Sequence, residues 1–119
     1  MDQWLPAYVL TCAIEIPIVF AMISGLAWRL RSNHPRLELL ALAWALQLTH
    51  PVLWLVNPPF PTAALLAEAV IVLVEGTGIY AWAVARTDAP RGRETATMAL
   101  AVALCANAAS LLAGLLLSL

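Results

Sequence analysis

The stretch RLRSNHPR, residues 29–36, separates two long apolar segments and carries three of the six basic residues of the chain. A second stretch, RTDAPRGR at residues 86–93, carries the other three, and every one of the six is an arginine. Basic residues of multi-pass membrane proteins are retained on the cytoplasmic side. Both stretches are therefore predicted to be cytoplasmic loops, with both chain termini on the opposite side of the membrane.

The composition excludes an ordinary soluble domain. Hydrophobic residues make up 63% of the 119 residues and charged residues 11%, which leaves too little polar surface to cover a soluble fold. A net charge of −1 gives no indication of a nucleic-acid partner. Cys12 and Cys105 both lie in apolar segments, so they are predicted to be reduced packing residues.

Four apolar segments each approach the roughly 20 residues that a membrane-spanning helix needs. Because hydrocarbon offers no hydrogen bonds to the backbone, each segment is predicted to be α-helical. The predicted spans cover residues 7–28, 37–56, 62–85 and 95–118. Short linkers make successive helices antiparallel. We therefore predict one transmembrane domain over residues 1–119, an all-α antiparallel four-helix bundle of the bacterial inner (plasma) membrane.

Polar side chains interrupt the apolar segments at matched depths. A rise of about 1.5 Å per residue gives one layer about 9–12 Å below the outer ends of three spans, formed by Glu15, His50 and Glu68. A second layer lies closer to the midplane and is formed by Gln47, Glu75 and Asn107. Both layers are predicted to face the bundle interior, and apolar residues are predicted to close the bundle on the cytoplasmic side.

Acids at these depths are costly. A carboxylate at the centre of a spanning helix costs roughly 2.5–3.5 kcal/mol on insertion scales, so the acids must be paired, protonated or bound to a cation. Carboxylates together with a histidine suit Zn²⁺, Mn²⁺ or Fe²⁺. The predicted site for a divalent metal or a proton consists of Glu15, His50, Glu68 and Glu75. Its predicted polar supports are Gln47, Asn107 and Ser110.

Prolines and glycines adjoin these polar positions. Pro17 and Pro51 cannot donate to the carbonyls four residues earlier. These carbonyl oxygens either bind a cation or water, or the prolines only kink their helices. Gly76 and Gly78 in span three and Gly114 in span four are predicted to permit the close approach of neighbouring helices.

Spans two to four contain the patterns Thr49-His50-Pro51, Glu68-x6-Glu75 and Asn107-x2-Ser110-x3-Gly114. In this order they resemble uncharacterised small four-span proteins of the bacterial inner membrane. The resemblance implies a bacterial inner-membrane protein and implies no reaction.

Three functions fit these observations. The first is binding or passage of a cation, either a proton or a divalent metal, at the intramembrane Glu/His cluster. The second is metal-dependent membrane hydrolysis, in which the carboxylates and His50 activate water, so enzymatic activity stays open. The third is an accessory or assembly subunit of a larger membrane complex. A chain this small is expected to act within the lipid bilayer as a homo-oligomer or a subunit, without a nucleic-acid partner.

Overall fold

Helices make up most of the described part of the chain. A computed structural model describes residues 4–49, 51 and 61–117. Helix α1 spans Trp4–Gly25, α2 Pro35–Leu46, α3 Pro61–Arg86 and α4 Arg93–Leu117. The only strand-like pairing among the described residues is one isolated antiparallel bridge between Leu30 and Thr87. The all-helical prediction is confirmed.

Three of these helices are long and apolar enough to cross a membrane. The qualifying segments are Leu5–Gly25, Leu66–Arg86 and Arg93–Leu117, with mean hydropathies of 1.9, 1.5 and 2.2. Large apolar side chains such as Val9 and Leu116 are exposed on their outer surfaces, as lipid-facing side chains are. The longest axis of the molecule measures 41 Å, which matches the thickness of about 40–45 Å of a bilayer with its headgroups. These are the features of a helical membrane protein.

The second predicted span, residues 37–56, is interrupted in the structure. Helix α2 has 12 residues, a length of about 18 Å, and ends in a tight turn. In this turn the backbone N–H groups of Gln47 and Leu48 donate to carbonyls three residues earlier, at 3.0 and 3.1 Å. Helical backbone returns at Thr49 and Pro51. Pro51 explains the interruption, because its ring clashes with the carbonyl of Gln47 and it has no N–H to donate there.

The remainder of this second span lies mostly outside the described residues. Residues 50 and 52–60 are among those that the structure does not describe. A complete fourth membrane crossing and the connection from α2 to α3 therefore stay predictions.

Each helix buries one stripe of side chains, with the spacing of three to four residues that places them on one helical face. The stripes include Glu15, Val19 and Ile23 on α1; Leu39, Ala43 and Gln47 at α2; Ile71, Glu75, Ile79 and Ala83 on α3; and Ala99, Ala103 and Asn107 on α4. Helix α4 packs most extensively on α3 and α1, and α2 packs on α1 and α3. The inward orientation predicted for Glu15, Gln47, Glu75 and Asn107 is confirmed.

Gly76 sets the distance between α3 and α4. A Cβ atom at this position would lie 2.7 Å from Cδ2 and 3.3 Å from Cα of Leu100. The predicted close approach at Gly76 is therefore confirmed. The same prediction for Gly114 is wrong, because a Cβ atom there would meet nothing within 4 Å.

The two arginine-rich loops, residues 29–36 and 86–93, lie side by side and together form what we call the arginine end. The backbone N–H of Arg31 donates to the carbonyl of Arg86 at 2.9 Å, and that of Asp88 donates to the carbonyl of Arg29 at 3.1 Å. The backbone N–H of Arg29 donates to Oδ1 of Asp88 at 2.8 Å. Arg86 donates through Nε and Nη2 to the two carboxylate oxygens of Glu38, at 2.6 and 3.1 Å. The loops occupy the same end of the bundle, and their cytoplasmic location stays a prediction.

Candidate functional site

Glu75 lies in the interior of the bundle with 2% of its surface exposed. The buried stripe of α3 points it inward, and two other chain segments reach its carboxyl group. Nδ2 of Asn107 on α4 donates to Oε1. The hydroxyl of Thr49, which follows the turn after α2, lies 3.2 Å from Oε2. The predicted proximity of Glu75 and Asn107 is confirmed.

Glu15 is the second buried acid, with 1% of its surface exposed. Oγ of Ser110 lies 2.6 Å from Oε2 of Glu15 and 3.0 Å from the carbonyl oxygen of Asn107. Because Ser110 and Asn107 are one turn apart on α4, this helix joins both acids into one set of contacts. We call Glu15, Thr49, Glu75, Asn107 and Ser110 the acid network.

Glu15 contacts Ser110, which lies one turn further from the arginine end than Asn107, the residue that contacts Glu75. This agrees with the predicted order of the two acids, and only the depth estimated for Glu15 changes. The depth of about 12 Å assumed a helix that begins at residue 7. Helix α1 begins at Trp4, which puts Glu15 about 16 Å below its start.

Two predicted site residues are not placed in the acid network. Glu68 is half-buried, takes part in an interaction of its own, and lies about 10 Å from Glu75 along α3. His50 lies outside the described residues. Within the described part of the chain, no three His, Cys, Asp or Glu side chains group closely enough to hold a metal ion. The predicted Zn²⁺, Mn²⁺ or Fe²⁺ site, which includes His50, stays a prediction.

Two buried amide oxygens belong to the same interior. Nε2 of Gln47 donates to the carbonyl of Ala43 at 3.3 Å, and Nδ2 of Asn107 also donates to the carbonyl of Ala103 at 2.8 Å. Oε1 of Gln47 and Oδ1 of Asn107 accept no hydrogen bond among the described residues. A buried acceptor without a donor costs about 1–3 kcal/mol. These oxygens therefore make the interior attractive to a proton donor or a cation.

An apolar core separates the acid network from the arginine end. Its buried members are Val19, Ile23, Leu39, Ala43, Leu46, Ile79, Ala99, Val102, Ala103 and Ala106. On every helix these residues lie between the network residue and the arginine end. The predicted apolar closure on this side is confirmed.

The charges of the chain are distributed on the two sides of this core. All six arginines lie at the arginine end, and the predicted spans contain a single side chain of basic type, His50. In the contacts described above, Glu15 and Glu75 are hydrogen-bonded to hydroxyl and amide groups. These contacts join each of the two buried carboxyl groups to neutral hydrogen-bonding groups.

Sequence analysis missed the roles of Thr49, Tyr8 and Cys12. Pro51 is the sequence feature that could have indicated the position of Thr49. A proline interrupts a helix about four residues before itself, and the side chains after the interruption then point in a new direction. Tyr8 and Cys12 lie one turn apart on the face of α1 that carries Glu15. They extend a line of polar side chains from Glu15 toward the start of α1.

Comparisons of the chain with protein-family models, curated proteins and solved structures find no significant match.

Proposed function

We propose that the protein binds a cation within the membrane and that this cation is the proton, held on Glu15 and Glu75. The observation that carries the proposal is the acid network, in which two almost fully buried carboxyl groups from α1 and α3 are joined through α4. An ionised carboxylate in such surroundings costs several kcal/mol unless another charge compensates it. A proton compensates the charge without any requirement for a set of metal ligands.

The hydroxyl contacts support protonated acids. Thr49 Oγ1 lies 2.9 Å from the carbonyl oxygen of Leu46 and 3.2 Å from Oε2 of Glu75. Oγ of Ser110 likewise lies within hydrogen-bond distance of the carbonyl oxygen of Asn107 on α4 and of Oε2 of Glu15. A hydroxyl group has one proton to donate. If each carboxyl group is protonated and donates to the hydroxyl oxygen, the hydroxyl donates to the carbonyl and every contact is a hydrogen bond.

We propose that protons reach the acid network from the end opposite the arginine end. Thr95, near the arginine end, and Asn107 are about 18 Å apart along α4, and the buried residues of this helix between them are all apolar. Tyr8 and Cys12 lead from Glu15 in the other direction. With the arginine end in the cytoplasm, as the sequence predicts, the site would open to the outer side of a bacterial inner membrane.

Potentiometric titration of the purified protein in a neutral detergent tests proton binding. At neutral pH, Glu15→Gln and Glu75→Gln should each hold one proton fewer than the wild type. Glu94→Gln is the matched control, because it removes an exposed acid beside the arginine end. Proton counts in Glu15→Gln and Glu75→Gln equal to the wild-type count would refute the proposal.

Metal analysis of the same samples separates the two cations. If the wild type retains a divalent metal in stoichiometric amount and Glu68→Gln loses it, the bound cation is a metal ion and not the proton. Equal, substoichiometric metal in both proteins supports the proton.

Passage of protons is the stronger form of the proposal. Liposomes that contain the protein and a trapped pH-sensitive dye should lose an imposed pH gradient faster than empty liposomes. Glu75→Gln should remove this acceleration, whereas Glu94→Gln should keep it. Gradients that decay equally with and without the protein would limit the function to proton binding.

A further inference from the structure

The arginine end concentrates positive charge in one place. Six arginines lie there against three acids, Glu38, Asp88 and Glu94, for a formal net charge of +3. The rest of the chain has four acids and no arginine, and two of these acids, Glu15 and Glu75, are uncharged when protonated as proposed above. The charge asymmetry along the molecule is therefore much larger than the net charge of the chain indicates.

The contacts at this end leave most of the guanidinium groups at the surface. Arg86 is engaged by the carboxylate of Glu38, and the carboxylate of Asp88 accepts from the backbone of Arg29. Besides Arg86, five arginines are exposed on the surface, namely Arg29, Arg31, Arg36, Arg91 and Arg93. Because the two loops are paired through their backbones, these arginines lie together at one end of the bundle.

Exposed apolar side chains adjoin this face. Leu37, next to Arg36, is 64% exposed, and Leu40, one turn further along α2, is 38% exposed. The arginines thus lie where an apolar exterior begins, which is the level of the headgroups in a bilayer.

From this arrangement we propose that the arginine end binds the phosphate groups of anionic phospholipids. The planar guanidinium group matches phosphate with two parallel hydrogen bonds. A lipid fits this face better than an acidic protein segment, because its chains also cover the leucines beside the arginines. The apolar core lies between this face and the acid network, so lipid binding and proton binding are separable.

Lipid retention measured by native mass spectrometry tests the proposal. The protein is equilibrated in micelles that contain equal amounts of phosphatidylglycerol and phosphatidylcholine, and the lipids that remain bound are counted. The wild type should retain phosphatidylglycerol preferentially. Arg31→Gln/Arg36→Gln/Arg91→Gln should lower this preference about fivefold per arginine, on the order of 100-fold in total.

A charge-preserving variant separates this effect from misfolding. Arg31→Lys/Arg36→Lys/Arg91→Lys should keep the part of the preference that charge supplies and lose the part that the two parallel hydrogen bonds of each guanidinium supply. Both variants should melt at the wild-type temperature. Equal retention of the two lipids by the wild type, or a preference unchanged in the glutamine variant, would overturn the proposal. Arginine-dependent binding of an oligoglutamate peptide without lipid preference would also overturn it, in favour of an acidic protein partner.

Discussion

The arginine end and the acid network are both polar, but different groups make their contacts. At the arginine end, backbone hydrogen bonds join the two loops. Five of the six arginines there are exposed and take no part in the ion pair described above. In the acid network the backbone is mostly helical and side chains connect the helices, as in the pairs Glu15–Ser110 and Glu75–Asn107. The surroundings explain the difference, because water and headgroups solvate charge at the arginine end, whereas the interior must neutralise each carboxyl group locally. Substitutions in or beside the network should therefore cost more stability than substitutions at the arginine end.

Gly76→Val should cause the largest loss, because it forces α4 away from α3 beside Glu75. The added side chain would collide with Leu100, and such overpacking costs about 3 kcal/mol. The free energy of unfolding in mixed micelles measures the loss. Gly114→Val is the matched control and should change little, because a Cβ atom there meets open space. Equal stabilities of the two variants would contradict the close packing of α3 and α4.

Asn107→Leu should have the next largest effect. It removes the amide donor to Glu75 while keeping a side chain of similar size, and the loss of a buried partner costs about 1.5 kcal/mol in a membrane interior. The same unfolding measurement checks it. Combination with Glu75→Leu should recover part of the loss, since the acid then no longer lacks its donor. Additive losses in the double variant would show that the two side chains do not interact.

Thr49→Val and Ser110→Ala should each cost about 0.6 kcal/mol, the average for a hydrogen bond between membrane helices. Thr97→Val is the control for the loss of a hydroxyl, because Thr97 is exposed and donates only to the carbonyl of Arg93 on its own helix, at 2.8 Å, in the contacts described. Unfolding free energies compare the three variants. If Thr97→Val loses as much unfolding free energy as the other two variants, the loss arises from the hydroxyl's bond within its own helix and not from the acid network.

Arg86→Gln should have the smallest effect, although it breaks a bidentate ion pair. The pair with Glu38 is exposed, and salt screens exposed charges. The melting temperature should fall slightly at low ionic strength and match the wild type at high ionic strength. A large fall that salt does not reduce would show that the arginine end contributes to stability as the interior does.

Much of this fold follows from the distribution of a few residue types. The arginines of residues 29–36 and 86–93 predicted that two loops lie together at one end, and their backbone hydrogen bonds show that they do. The long apolar segments predicted helices, since unsatisfied backbone groups are too costly in lipid. Glu15 and Glu75 were predicted to face inward for the same kind of reason, and both are buried.

The details of the site were less accessible from the sequence. Apolar residues continue from residue 4 to residue 7 without a clear helix boundary, so the predicted span begins three residues after α1 does. The turn after α2 depends on how Pro51 displaces the carbonyl of Gln47, which fixes the position of Thr49 in three dimensions. The contact between Ser110 and Glu15 depends on how closely α1 packs on α4, which no local pattern specifies.

Infrared spectroscopy of the purified protein tests the central claim, that Glu15 and Glu75 carry protons inside the membrane. A protonated carboxyl group and a carboxylate have separate C–O stretching bands, so the two forms are distinguished directly. The wild type at neutral pH should show a protonated-carboxyl band that decreases in Glu15→Gln and in Glu75→Gln and is unchanged in Glu94→Gln. A wild-type spectrum with carboxylate bands alone at neutral pH would contradict the account.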